Sequence, residues 1–203
     1  MKKLLLALSV IAVTGSAVAA DFSPYVSLKA GAGGSSWSES DVSPTGFVLA
    51  GAVGVQYSAL QAVNFRGEFE ISMMKFEDSV AEDDVPYYTS SMELKQNFSM
   101  YLANFYVDFL KEYKVKPYVG FGFGMASLKE EIKDSLYVFA LDENFYFNET
   151  AKWNSFTYGL NAGLGINITK GLAADLGARY MIVKIEDTNV NIFTGTLGLR
   201  YTF

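Results

Sequence analysis

Apolar and polar residues alternate with a period of two along most of this chain. The stretch Val63–Met73 shows it most plainly. Val63, Phe65, Gly67, Phe69, Ile71 and Met73 share one face, and Asn64, Arg66, Glu68, Glu70 and Ser72 share the other. Successive side chains of a strand point to opposite sides, so this stretch reads as a strand with one apolar and one polar face. Seven further segments repeat the pattern, at about 24–33, 45–57, 94–109, 116–128, 155–168, 172–181 and 191–203. In 116–128, Val119, Phe121, Phe123 and Met125 oppose Tyr118, Gly120, Gly122 and Gly124. In 191–203, Phe193, Leu197, Leu199, Tyr201 and Phe203 oppose Thr194, Thr196, Gly198, Arg200 and Thr202.

The connections between these segments alternate in length. Those at 58–61, 110–113 and 169–171 are short, and those at 34–44, 77–92, 129–154 and 182–190 are long. Short turns at one end and long loops at the other are the pattern of a transmembrane barrel. The large aromatic face suits lipid, and the face of Gly, Ser, Thr, Asn and charge suits a narrow polar lumen. A soluble lipocalin-like barrel would turn the apolar face inward, where eight strands leave too little room for it. The predicted fold is therefore all-β: an eight-stranded antiparallel transmembrane β-barrel with short periplasmic turns and long extracellular loops.

The N-terminus adds an address. Lys2 and Lys3 precede an apolar run, Leu4–Val13, and the small residues Gly15, Ser16, Ala17, Ala19 and Ala20. That is the build of a cleaved signal peptide, with cleavage after Ala20 or Ala19. The expected organisation is a signal peptide over 1–20 and one barrel domain over 21–203. After Ala20 no run approaches the 18 apolar residues of a membrane helix. The chain holds no Cys and no His, which excludes disulfides, thiol nucleophiles and the commonest general base. With 16 Lys+Arg against 22 Asp+Glu there is no basic footprint for nucleic acid. No cofactor or metal site is expected.

Three stretches carry a family likeness: Lys116–Gly124 with its alternating glycines after Pro117-Tyr118, Asp175–Tyr180, and the terminal Gly198–Phe203. The chain resembles the small eight-stranded outer-membrane barrels of Gram-negative bacteria, especially the opacity-type surface antigens related to the OmpA and OmpX barrels. The resemblance spans essentially the whole mature chain. It implies the outer membrane as location, with outer-membrane lipid and the barrel-assembly machinery as partners, and Tyr201 and Phe203 as the assembly signal. It specifies activity poorly, because such barrels include adhesins, evasion factors and proteins without known role. No peptidoglycan-binding domain follows Phe203, so a full-length OmpA-type anchor is not expected.

Candidate sites follow from the two faces. The inward face carries Lys29, Arg66, Arg179 and Arg200 against Glu68, Glu70, Asp108 and Asp175. Four cations and four anions in an interior just wide enough for side chains read as a charge plug, with a pore lining or a carboxylate pair at Glu68 and Glu70 as the alternatives. The inward glycines leave room for bulky neighbours such as Tyr106 and Tyr118. The stretch 77–92 holds Glu77, Asp78, Glu82, Asp83 and Asp84 and reads as a solvated acidic loop, or as a divalent-ion site. Tyr137, Phe139, Phe145, Tyr146 and Phe147 read as a protruding hairpin, either packed on other loops or exposed to host or matrix surface molecules. The expected function is a non-enzymatic surface protein with a non-conducting barrel, acting structurally or in adhesion through its loops. A small-solute pore or a hydrophobic-ligand transporter is the alternative.

Overall fold

The computed structural model describes residues 22–37, 44–58, 62–85, 88–138, 143–185 and 188–203, and side chains outside 37, 78–94 and 133–147. Eight strands run in chain order: β1 (Phe22–Trp37), β2 (Thr45–Tyr57), β3 (Val63–Val85), β4 (Tyr88–Phe109), β5 (Val115–Val138), β6 (Glu143–Asn167), β7 (Leu172–Ile185) and β8 (Thr188–Thr202). Each pairs antiparallel with its neighbours, and β1 pairs with β8 to close a barrel. Closure leaves no edge within the wall, which is the condition for strands to cross a bilayer. The expected signal segment 1–20 lies outside the described residues.

The register sets the girth. Stepping from Val26 through the paired residues Val53, Phe69, Ala103, Phe123, Tyr158, Ile182 and Asn191 returns to β1 at Ser36, ten residues along. For eight strands that stagger tilts them by about 40° and gives a backbone radius of about 8 Å. Side chains alone fill such an interior.

The outward residues form a lipid-facing band. On β5 it runs from Val115 through Val119, Phe121 and Phe123 to Met125, all exposed. Ten residue steps at that tilt span about 25 Å, the height of an outer-membrane apolar band. Beyond it the outward positions turn polar, as at Lys75, Lys129 and Lys152.

Beyond the band the strands do not stop where alternation of the apolar residues fades. The stretch 77–92, expected as a loop, is mostly paired strand: β3 and β4 continue to Val85↔Tyr88. β5 and β6 likewise pair to Val138↔Glu143. β3 runs on past Glu77, its last partner on β2 being Thr45, and β6 runs on past Thr157, the last residue paired with β7. A four-stranded extension of β3–β6 therefore rises above the rim formed by the other strands. Cross-strand hydrogen bonds carry it, so it needs no apolar outer face to persist as sheet.

Candidate functional site

The lumen is built in two tiers. The tier nearer the short turns holds the ionised groups. Glu70 is fully buried; it accepts hydrogen bonds from Arg179 (Nη1 to Oε1 at 2.5 Å, Nη2 to Oε2 at 2.9 Å) and from Lys29 Nζ at 2.7 Å. Lys29 also donates to Glu68 Oε1 at 2.6 Å. Glu68 accepts further from the hydroxyls of Tyr106 at 2.8 Å and Tyr25 at 3.0 Å, and from Asn104 Nδ2 at 3.3 Å. Arg179 Nε donates to Asn161 Oδ1 at 2.6 Å. Two cations and two anions thus form one compensated cluster.

A second cluster lies closer to the turns. Arg66 donates to Asp108 Oδ1 from Nε at 2.9 Å, and its guanidinium sits 4.6 Å from the Tyr106 ring centre and 5.0 Å from that of Tyr118. Arg200 lies 3.2 Å from Asp175 and 4.0 Å from Asp108. All eight charged residues singled out in the sequence meet in these two groups. Burial without a partner would cost each ion several kcal/mol, and pairing with hydrogen bonds offsets that penalty. The tyrosines need space, and glycines on facing strands supply it. A Cβ on Gly120 would collide with the Tyr106 ring, and one on Gly163 would meet the Tyr118 hydroxyl.

The second tier, away from the turns, is apolar. Met74, Phe76, Phe98, Met100, Leu102, Leu128, Met181, Val183, Val190 and Ile192 are buried together inside the barrel. The expectation of a polar lumen throughout is thus corrected for this half. The reason is parity: Met74 and Phe76 continue the inward row of Arg66, Glu68, Glu70 and Ser72, while Met100 and Phe98 continue that of Asn104 and Tyr106. The signal was in the sequence, but apolar residues on both faces hide the alternation. Above this tier Ser35 Oγ and Gln96 Oε1 lie 2.5 Å apart, and Gln96 Nε2 donates to Glu130 Oε2 at 3.2 Å. Partial burial holds the Glu130 carboxyl above the usual carboxylate range, against the pull of the Gln96 bond.

Tyr201 and Phe203 face outward at the end of β8, their rings edge-on with centroids 5.3 Å apart. Phe203 N donates to Pro24 O at 3.0 Å, which ties the last residue to the β1–β8 seam. Tyr137, Phe145, Tyr146 and Phe147 stand on the extended β5–β6 pair, opposite Asn144, Leu136, Ser135 and Asp134; their side chains, and the whole of Phe139, lie outside the described residues. So do the side chains of Asp78, Glu82, Asp83 and Asp84. Sequence reasoning missed Tyr25, Asn104 and Asn161 as supports of the carboxylates. Their inward parity was visible, but their partners across the lumen were not.

Charge is sorted along the chain: the sequence segments 36–46, 75–97, 128–154 and 184–189 carry 16 Asp or Glu and 6 Lys, a net −10. The short-turn end of the barrel carries Lys111, Lys114, Lys116 and Lys170 against Glu112.

The family described as outer membrane protein β-barrel domain matches residues 4–203. Among solved structures the chain is similar to Neisserial surface protein A, at 19% identity and a TM-score of 0.47, covering 89% of this chain and 97% of that one. It is similar also to Ail, the attachment invasion locus protein of Yersinia pestis, at 18% identity and a TM-score of 0.45, covering 90% and 99%. A third is the N-terminal β-barrel domain of Pseudomonas aeruginosa OprF, at 17% identity and a TM-score of 0.37, covering 87% and 97%. No curated protein sequence matches the chain.

Proposed function

We propose a specific role for this chain, which belongs to the outer membrane protein β-barrel family and resides in the outer membrane of a Gram-negative bacterium: a non-conducting surface protein that recognises partners through the β3–β6 extension. The observation that supports it most is the filling of the lumen by two unlike tiers. A small-solute pore needs a wet path, and here compensated ions are followed by an apolar layer in which Phe76, Phe98, Met100, Leu102, Met181 and Ile192 are buried. A hydrophobic ligand would have to displace that layer.

Enzymatic chemistry has little to work with. The sequence has no His or Cys, and both Glu68 and Glu70 are held by cations, which leaves neither poised as a base. The protein is therefore read as non-enzymatic. Recognition is assigned to Tyr137, Phe139, Phe145, Tyr146 and Phe147, aromatics in a region where an aqueous surface favours polar residues. The net −10 of the segments 36–46, 75–97, 128–154 and 184–189 selects partners by charge. Host or matrix molecules with basic patches are attracted and polyanions repelled, and the attraction weakens with salt. The signal peptide over 1–20 and the role of Tyr201 and Phe203 in assembly belong to the same reading.

The test is a variant with Tyr137, Phe139, Phe145 and Phe147 changed to Ser. It should insert and keep heat-modifiable gel migration yet lose binding to cells or basic matrix proteins. If it folds and all binding persists, the recognition surface lies elsewhere. If it fails to fold, the aromatics are packing. Deleting Phe203 should lower the yield of assembled barrel, and an unchanged yield would remove the assembly role.

A further inference from the structure

The turn end of the barrel opens into a cavity of about 180 Å³. One water needs about 10–15 Å³, so the space admits a small polyatomic ion with water. Arg200, Lys116 and Lys170 line it, with polar groups from Gln56, Thr169 and Thr202. No Asp or Glu lines it. Asp175 and Asp108 lie against Arg200, at 3.2 and 4.0 Å.

The charge balance points to a ligand. Arg66 and Arg200 are matched by Asp108 and Asp175, so at this end Lys111, Lys114, Lys116 and Lys170 outnumber Glu112, and Lys116 and Lys170 are the two of them that line the cavity. Lys116 is half-buried; Asp108 and Glu112 act on it electrostatically, but neither makes a direct salt bridge with it among the described residues. Arg200 donates from Nη2 to Asp175 Oδ1 at 3.2 Å and from Nη1 to Gln56 Oε1 at 3.5 Å, which leaves Nε, 3.2 Å from Asp175 Oδ2, without an aligned hydrogen bond. A cation held partly out of water without a partner is costly, and that cost falls when an anion enters. Lysine point charges and hydroxyl donors set beside a guanidinium that is itself matched by carboxylates are the chemistry of phosphate recognition.

We propose that this mouth binds a phosphate group. Its level, where the apolar band ends at the short turns, fits the headgroup of a phospholipid of the periplasmic leaflet; a free phosphate ion presents the same chemistry. Neither source involves the β3–β6 extension, so the site stands or falls independently of partner recognition there.

The test uses the full refolded barrel in phosphate-free nonionic micelles. Inorganic phosphate is titrated and followed by calorimetry and by broadening of its phosphorus resonance. In parallel, native mass spectrometry records retention of added phosphatidylglycerol. Saturable phosphate binding is expected, weakened at least tenfold in Lys116→Gln/Lys170→Gln, a pair of near-isosteric changes at the barrel end. Heat-modifiable migration verifies that this variant is folded, and Lys111→Gln/Lys114→Gln, which removes two cations outside the cavity, should bind as the native chain does. One retained lipid, displaced by phosphate and lost in the cavity variant, identifies the headgroup as source; phosphate binding without lipid retention identifies the free ion. Absence of binding in both arms overturns the proposal. So does binding that is equal in the native chain and the cavity variant, or that falls equally in both lysine pairs, which is diffuse electrostatics and not a site.

Discussion

Arg179→Met is the sharpest test of the ionic tier. The substitution keeps an apolar stem of similar length and removes the guanidinium that binds Glu70 through two hydrogen bonds. Glu70 keeps Lys29, but that ammonium is shared with Glu68, so the cluster is left with one anion in excess. Two unit charges about 4 Å apart attract by about 4 kcal/mol at an effective dielectric of 20. The bond from Arg179 to Asn161 adds about 1 kcal/mol. A loss of about 3–5 kcal/mol follows, the range found when one partner of a buried pair is removed. The double variant Arg179→Met/Glu70→Gln strands no charge and should lose far less, so the two sites should couple by about 3 kcal/mol in a double-mutant cycle. The assay is equilibrium urea unfolding in phospholipid vesicles, followed by Trp fluorescence and by gel migration. If Arg179→Met costs under about 1 kcal/mol, or if the two single losses simply add, then Glu70 is hydrated or free to move and the plug reasoning fails.

Other expectations bear on the rest of the lumen. Met100→Ala removes a buried side chain of the apolar tier and should cost about 2–5 kcal/mol, whereas Met73→Ala, on the outward face, should cost under half as much; equal losses would mean the inward parity is wrong. In planar bilayers the native protein should show no steady single-channel current, and large stable currents would contradict a filled lumen. Glu130 has its folded pKa raised by burial, so its contribution is favourable below the ordinary carboxylate range, about pH 4, and is lost as pH rises through the folded value. Glu130→Gln should accordingly be more stable than the native chain near neutral pH, with the gap closing in acid; a gap that widens in acid would reverse the sign of this account.

Strand number, closure and the lipid face were legible in the sequence because a wall residue meets lipid on one side along its whole crossing. Phe65, Phe69, Ile71 and Met73 announce their strand without any knowledge of neighbours. The same is true of the inward charges, since Glu68 and Glu70 can only share a face. Pairing was not legible. Arg179 reaches Glu70 across a sequence separation of 109 residues, and which cation faces which anion depends on the ten-residue stagger, a property of the closed barrel and not of any one strand. The apolar tier was hidden for a different reason. Where Met73 faces lipid and Met74 faces the core, both neighbours are apolar for unrelated causes and the period of two disappears. The stretch 77–92 misled through composition: acidic residues favour loops in water, yet cross-strand hydrogen bonds hold β3 against β4 there irrespective of side chain.

The two tiers also bear on how the extension can work. A wet, loosely packed barrel would transmit little rigidity to strands that continue past the membrane. Here β3, β4, β5 and β6 continue, with one register shift between β3 and β4 at Val80/Asp83, from a wall whose interior is packed at three levels: by ion pairs at Glu70 and Asp108, then by Met100, Leu102 and Met181, then by the Ser35–Gln96–Glu130 chain. Each continuous strand passes that order upward, so a surface on the extension is held in place before any partner arrives. Preordering lowers the conformational cost of association, which for flexible loops consumes about 0.5–1.5 kcal/mol per immobilised side chain. On the proposed reading, a filled interior is the mechanical basis for presenting a binding surface, and loosening the tiers, as in Arg179→Met, should weaken partner binding to refolded protein measured beside the native chain; unchanged binding in a folded but destabilised variant would remove this link.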